Sequence, residues 1–214
     1  MLVVIINTNM KLYLSSYRLG NKSQIFTDSF GENKKVAVIA NSMDFLTDKE
    51  ARKESAQREI DDLKRLGLDP EEVDLRDYFG KPEALAQKLK EYGGLWVRGG
   101  NVFILRRAFK ESGMDEWLKT QKDNKELVYG GYSAGVCVLS PKLNGLELVD
   151  DPNNVPEGYN TDVEWVGVGI VNWAFAPHYM SQHPESEAVS SLVEYFKKEG
   201  IEFKALSDGE VIRE

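Results

Sequence analysis

The chain has 214 residues, enough to bury a two-sided core within one domain. Its 27 Lys and Arg stand against 35 Asp and Glu, a formal net charge of -8, which argues against a surface built to condense on nucleic acid or anionic membrane. The single cysteine, Cys137, cannot form an internal disulfide, and no paired Cys/His spacing suits a structural zinc, so a reducing, cytoplasmic setting is expected.

Short apolar runs alternate with amphipathic helical patterns. This is the signature of a three-layer α/β domain, a mainly parallel sheet with helices on both faces, expected to occupy 1–214 as a single unit. The apolar run 2–6 reads as the first strand; it ends at Asn7 and lacks the basic start and small-residue cleavage site of a signal peptide. Residues 35–40 form the second strand. Thr47 and Glu50 have the spacing of a capping box, opening a charged helix that ends near Gly67. A short third strand is expected over 71–75. Pro82 opens the next helix and Gly93 closes it, leading to strand four over 94–98. Gly99-Gly100-Asn101 then turns the chain into a helix over 102–112 that stops at Gly113. Residues 127–130 form a fifth strand running directly into Ser133. Asp, Asn, Pro and Gly crowd together over 146–160, which marks a loop. The stretch 163–175 is apolar and β-branched enough for one or two strands, Pro184 starts a last helix ending at Gly200, and 203–212 reads as a terminal hairpin turning at Asp208-Gly209. No apolar stretch has the length needed to cross a bilayer.

A serine hydroxyl is a poor nucleophile unless a tight turn presents it beside a general base and near oxyanion donors. Gly131-Tyr132-Ser133-Ala134-Gly135 has the G-x-S-x-G form of such a turn, with an apolar strand before it and a helix-forming run after it. A bare match of this kind is often an ordinary turn, so other residues must corroborate it. The general base must come from His178 or His183, the two histidines of the chain. His178 ends the apolar run 171–177, where a strand emerges from the core, and is favoured; His183 precedes Pro184 at a polar helix entrance, suited to capping or solvent exposure. The acid that orients the base is open among Asp150, Asp151, Asp162, Glu164 and Asp208. Gly99 and Gly100, lacking β-carbons, leave their amides open to a substrate carbonyl, and Ala134 offers a helix-start amide. The same glycine pair with Asn101 as cap is also a routine strand-to-helix turn.

Four segments taken in order, Arg98-Gly99-Gly100-Asn101-Val102-Phe103, Tyr132-Ser133-Ala134-Gly135, Ala176-Pro177-His178-Tyr179 and Leu206-Ser207-Asp208-Gly209, resemble the dipeptidase E (aspartyl dipeptidase) family, relatives of cyanophycinase. The resemblance implies a flavodoxin-like fold similar to class I glutamine amidotransferases. It also implies Ser133 as nucleophile, His178 as base, oxyanion donors from Gly99, Gly100 and Ala134, and a third member at Asp208, where the family carries a glutamate; an older assignment would place it at Asp150 or Asp151. No metal or cofactor is implied. The family's arginine-rich stretch after the histidine motif is replaced by Gln182-His183-Pro184-Glu185-Ser186-Glu187, which points away from strict Asp-X specificity. The expected activity is therefore hydrolysis of short peptides or related small amides. The rival expectations are an esterase of the α/β-hydrolase type and a non-catalytic binding or regulatory relative. The chain ends shortly after the expected hairpin, leaving an edge that would favour a homodimer.

Overall fold

A computed structural model describes residues 8–214, so the strand expected over 2–6 lies outside the described residues. The chain order begins with β1 (Lys11–Ser15), the short helix α1 (Ser23–Asp28), β2 (Lys35–Ile39), α2 (Lys49–Arg65), β3 (Asp69–Glu72), α3 (Pro82–Leu89) and β4 (Gly94–Val97). It continues with α4 (Val102–Ser112), α5 (Met114–Thr120), β5 (Val128–Tyr132), α6 (Ala134–Cys137), β6 (Ala174–Ala176), α7 (Ser186–Lys198), β7 (Phe203–Ala205) and β8 (Val211–Arg213). Among the described residues, six strands form one sheet in the order β3-β2-β4-β5-β1-β8, parallel except for β8. A separate parallel pair joins β6 to β7.

Successive side chains on a strand point to opposite faces, and here both faces are apolar and buried. Leu12, Leu14, Ala37, Ile39, Leu95 and Val97 face a large core shared with α3, α4, α5 and α7. Tyr13, Val36, Val38, Trp96 and Val128 face a smaller one, closed by Phe26 of α1 and Leu63 of α2. The expected three-layer, mainly parallel α/β architecture is the one observed. No helix among the described residues is long and apolar enough to cross a membrane.

Several element boundaries differ from expectation. Asp48, not Thr47, caps α2, its carboxylate accepting from the Glu50 and Ala51 amides. The third strand lies earlier, at Asp69–Glu72, where Pro70 is tolerated because β3 is a sheet edge; Asp74 then caps a 3₁₀ turn, Leu75–Tyr78. The stretch 163–175 contributes only the first two residues of β6 to a named strand. Its backbone is satisfied elsewhere: Arg106 and Arg107 of α4 donate to the carbonyls of Val166 and Asp162, and the amides of Val168 and Ile170 donate to the carbonyls of Val138 and Leu139.

The terminal hairpin is also corrected. β7 joins β6, whereas β8 crosses to pair antiparallel with β1. The turn bearing Asp208 therefore bridges two sheets instead of closing one ribbon, and this carries Asp208 over the carboxyl ends of β1 and β6.

Candidate active site

β5 delivers Ser133 at the sheet's carboxyl edge, and α6 begins at the next residue. Ser133 has φ 48° and ψ -117°, a left-handed conformation that a residue with a β-carbon adopts only when its surroundings impose it. Those surroundings include Gly135: a β-carbon there would lie 2.2 Å from the Val97 carbonyl oxygen, so the elbow is seated directly on β4. The Ser133 amide donates to the Ser15 carbonyl at 3.3 Å, pinning the turn to β1 as well.

The glycine pair after β4 flanks the same serine. Ser42 Oγ lies 3.0 Å from the Arg98 carbonyl and 2.8 Å from the Gly99 carbonyl, which holds the Gly99 carbonyl on the Ser42 side and points the Gly100 amide of the same trans peptide the other way. Gly100 has φ 145°, and a β-carbon on it would meet the Ser42 carbonyl at 2.6 Å. Among the described residues the amides of Gly99, Gly100 and Ala134 have no protein acceptor. They are free to serve an incoming oxygen.

His178 follows β6, is almost fully buried, and also adopts a positive φ of 59°. Its Nδ1 lies 2.6 Å from Asp208 Oδ1, so the neutral ring carries its proton on Nδ1 and presents the Nε2 lone pair. Burial pushes the imidazole below its ordinary value; hydrogen bonding to Asp208 opposes that shift and neighbouring His183 adds to it. Ser16, at the end of β1, fixes the pair. Its Oγ accepts the His178 amide at 2.8 Å and donates toward Asp208 Oδ1 at 3.0 Å. Ser181 Oγ accepts the Asp208 amide at 2.7 Å.

Of the five candidate acids, the structure brings Asp208 to His178 and the other four elsewhere. Asp150 is partly buried beside α4, accepts the Val102 amide at 2.8 Å, and desolvation pushes it up to about 7. Asp151 accepts the Asn153 amide, the Asp162 carbonyl accepts Arg107, and Glu164 pairs with Lys110. No hydrogen bond joins Ser133 Oγ to His178 among the described residues, but both line one cleft of about 230 Å³ with Gly99, Gly100, Tyr132 and Tyr17. In unliganded serine hydrolases such contacts are often long.

Sequence reasoning missed three features of this cleft. Ser16 has no motif to mark it. His183, expected to cap or face solvent, does accept the Glu185 amide at 3.3 Å, yet its ring stacks on His178 with centroids 3.7 Å apart. Finally, Arg58 from α2 and Arg98 from the end of β4 both line the cleft, supplying cations from elements remote from the segment after His178. They are held by Glu59, a buried carboxylate 3.3 Å from Arg98 Nε and 3.4 Å from Arg58 Nη2 that also accepts Trp96 Nε1 and Tyr132 Oη, each at 2.9 Å.

The sequence model of Peptidase family S51 matches residues 18–213. The uncharacterized peptidase Lin0382 of Listeria innocua is 28% identical over 117 residues, 55% of this chain and 53% of its own length. A probable alpha-aspartyl dipeptidase of Drosophila melanogaster is 25% identical over 154 residues, 70% of this chain and 60% of its own. The chain thus spans just over half the length of these curated relatives. In structure it is similar to a protein of Listeria monocytogenes EGD-e assigned as a peptidase E, with a TM-score of 0.71 and 22% identity over 96% of this chain and 98% of the other. A peptidase from an acI-B1 Actinobacterium superposes with a TM-score of 0.58 at 15% identity, over 88% of this chain and 76% of the other.

Proposed function

The chain belongs to peptidase family S51, and from that premise we propose that it is a serine-type hydrolase of short peptides, acting through an acyl-enzyme at Ser133. The observation that carries this reading is the coupling of His178 Nδ1 to Asp208 at 2.6 Å in the cleft that also holds the strained Ser133. His178 Nε2 takes the Ser133 proton as Oγ attacks the scissile carbonyl; Asp208 holds the tautomer and stabilises the imidazolium that forms. The amides of Gly99, Gly100 and Ala134 receive the oxyanion. His178 then returns its proton to the leaving amine, and a water activated by the same ring releases the acyl group. The depressed affinity of His178 for protons keeps it in the base form at neutral pH.

The small cleft favours short peptides over folded proteins. Arg58 and Arg98 favour substrates that carry a carboxylate, whether side chain or terminus. This revises the expectation drawn from the missing arginine-rich stretch: the cations come from α2 and β4. The buried, unpaired thiol of Cys137 supports a reducing, cytoplasmic setting.

The test is a panel of free dipeptides, N-blocked dipeptides and p-nitrophenyl esters with the wild-type protein and Ser133→Ala. Turnover of dipeptides by the wild type alone, with fluorophosphonate labelling at Ser133, is expected. Undiminished turnover by Ser133→Ala removes the serine mechanism, and strong preference for esters removes the peptidase. Arg58→Ala should raise KM for acidic dipeptides while leaving neutral ones little affected.

A further inference from the structure

The geometry points to a divalent transition-metal site, of the zinc class, formed by His178, His183 and Glu185 at the mouth of the cleft, whose occupation withdraws the general base. One ligand atom from each of these residues lies within 4.8 Å of the other two. Glu185 Oε2 is the common neighbour, 3.8 Å from His178 Nε2 and 3.9 Å from His183 Nδ1. Around a tetrahedral zinc with bonds of about 2.0–2.1 Å, ligand atoms stand roughly 3.3 Å apart, so Glu185 Oε2 needs to close on each histidine by about half an ångström, and the two histidine donors on each other by at most about 1.5 Å. Two imidazoles and a carboxylate form a donor set suited to zinc and unsuited to calcium or magnesium.

The site also has the orienting shell that such metals use. Asp208 binds His178 Nδ1, leaving Nε2 as the free donor, an arrangement that fixes the tautomer and raises ligand basicity in carboxylate–histidine–zinc centres. His183 and Glu185 are partly exposed and sit in the loop that enters α7, so they can adjust while His178 stays fixed. One local change is required: a metal lies in the plane of each imidazole it binds, so the His183 ring must tilt out of its 8° stack on His178 and release the Glu185 amide. The fourth position opens to the cleft, toward solvent or a substrate group.

Binding does not depend on Ser133 being a nucleophile; inhibition does, because an ion on Nε2 occupies the lone pair that would take the serine proton. Zinc binding to the purified full chain, followed by equilibrium dialysis and calorimetry with zinc chloride alone, is expected to show one saturable equivalent. His183→Ala and Glu185→Gln should each weaken it by at least about tenfold, and Asp208→Asn by roughly 10- to 100-fold. No saturable binding, or affinity unchanged in either His183→Ala or Glu185→Gln with the fold intact by circular dichroism, overturns the site. His183→Gln, which retains a polar side chain without an imidazole, repeats the test should the alanine variant unfold. Fluorophosphonate labelling of Ser133 should fall as zinc saturates and return on adding a chelator; labelling unchanged at full occupancy overturns the inhibitory role. Absence of labelling even without zinc counts against the hydrolase reading, while the binding titration still decides the metal site.

Discussion

Ser16 Oγ accepts the backbone amide of His178 at 2.8 Å, tying the end of β1 to the second residue after β6 across 162 positions of sequence. The same hydroxyl contacts Asp208, so one side chain sets both partners of the dyad. Ser16→Ala leaves a buried amide without an acceptor, at a cost of about 1–3 kcal/mol in stability. It should also lower kcat by roughly tenfold or more with KM little changed, since it disturbs orientation and not binding. Denaturant unfolding alongside steady-state kinetics checks both halves; wild-type kcat would show that Ser16 does not position the dyad.

Asp208→Asn should lower kcat by about 10⁴, the loss seen when the orienting acid of a serine triad is neutralised. Asp208→Glu should lose less, because a carboxylate remains, but the 2.6 Å contact leaves little room for another methylene. The two variants compared at one pH separate charge from reach. Equal losses would mean that reach matters as much as charge.

The acid limb of kcat/KM should fall below the ordinary histidine value of 6.5, because burial lowers the affinity of His178 for protons more than Asp208 raises it. Activity is lost as pH falls through that limb and His178 protonates. His183→Phe preserves an aromatic neighbour while removing the second imidazole, whose coulombic effect lowers the proton affinity of His178, so it should move the limb to higher pH. A pH–rate series on both proteins reads the shift directly, and a limb that moves to lower pH rejects the electrostatic role of His183.

Asp150 is an acid whose affinity for protons is raised in the folded state, to about 7. Below about pH 4 it is protonated folded and unfolded, and costs nothing. As pH rises the unfolded chain ionises first, so stability falls until about pH 7, where the penalty is complete. Asp150→Asn keeps an oxygen for the Val102 amide and removes that penalty, so it should stabilise the fold at pH 8 by on the order of a few kcal/mol and have little effect near pH 4. Thermal melts at both values test the sign.

Glu59→Ala should be the most destabilising of these changes, at about 3–5 kcal/mol, because it strands the buried Arg98 guanidinium together with Trp96 Nε1 and Tyr132 Oη. Chemical unfolding measures it. A loss below about 1 kcal/mol would show that water replaces the carboxylate.

Local chemistry made much of the molecule legible in the sequence. Asn101 and Gly113 bound α4 because a side-chain cap and a left-handed stop act within a few residues, and both are observed at those positions. Ser133 was visible because a strained elbow demands small neighbours within two positions. β1 was missed because only Leu12-Tyr13-Leu14 of Lys11–Ser15 is apolar, flanked by lysine and serines, and the 203–212 hairpin was misread because an Asp-Gly turn says nothing about which strands flank it. Which of five acids meets His178 had no signature in composition or spacing, and only the family resemblance of Leu206-Ser207-Asp208-Gly209 pointed to Asp208. That choice follows from β8 crossing to β1 while β7 stays with β6, a pairing set by long-range backbone hydrogen bonds and by which apolar faces are left to bury. Ser16, Arg58 and His183 entered the cleft by the same route, from segments that only the folded sheet brings to one edge. Local sequence signals thus marked most of the helices and strands and singled out Ser133 as the candidate nucleophile; the neighbours of that serine came from topology, because side-chain contacts across a hundred residues depend on strand order and not on spacing.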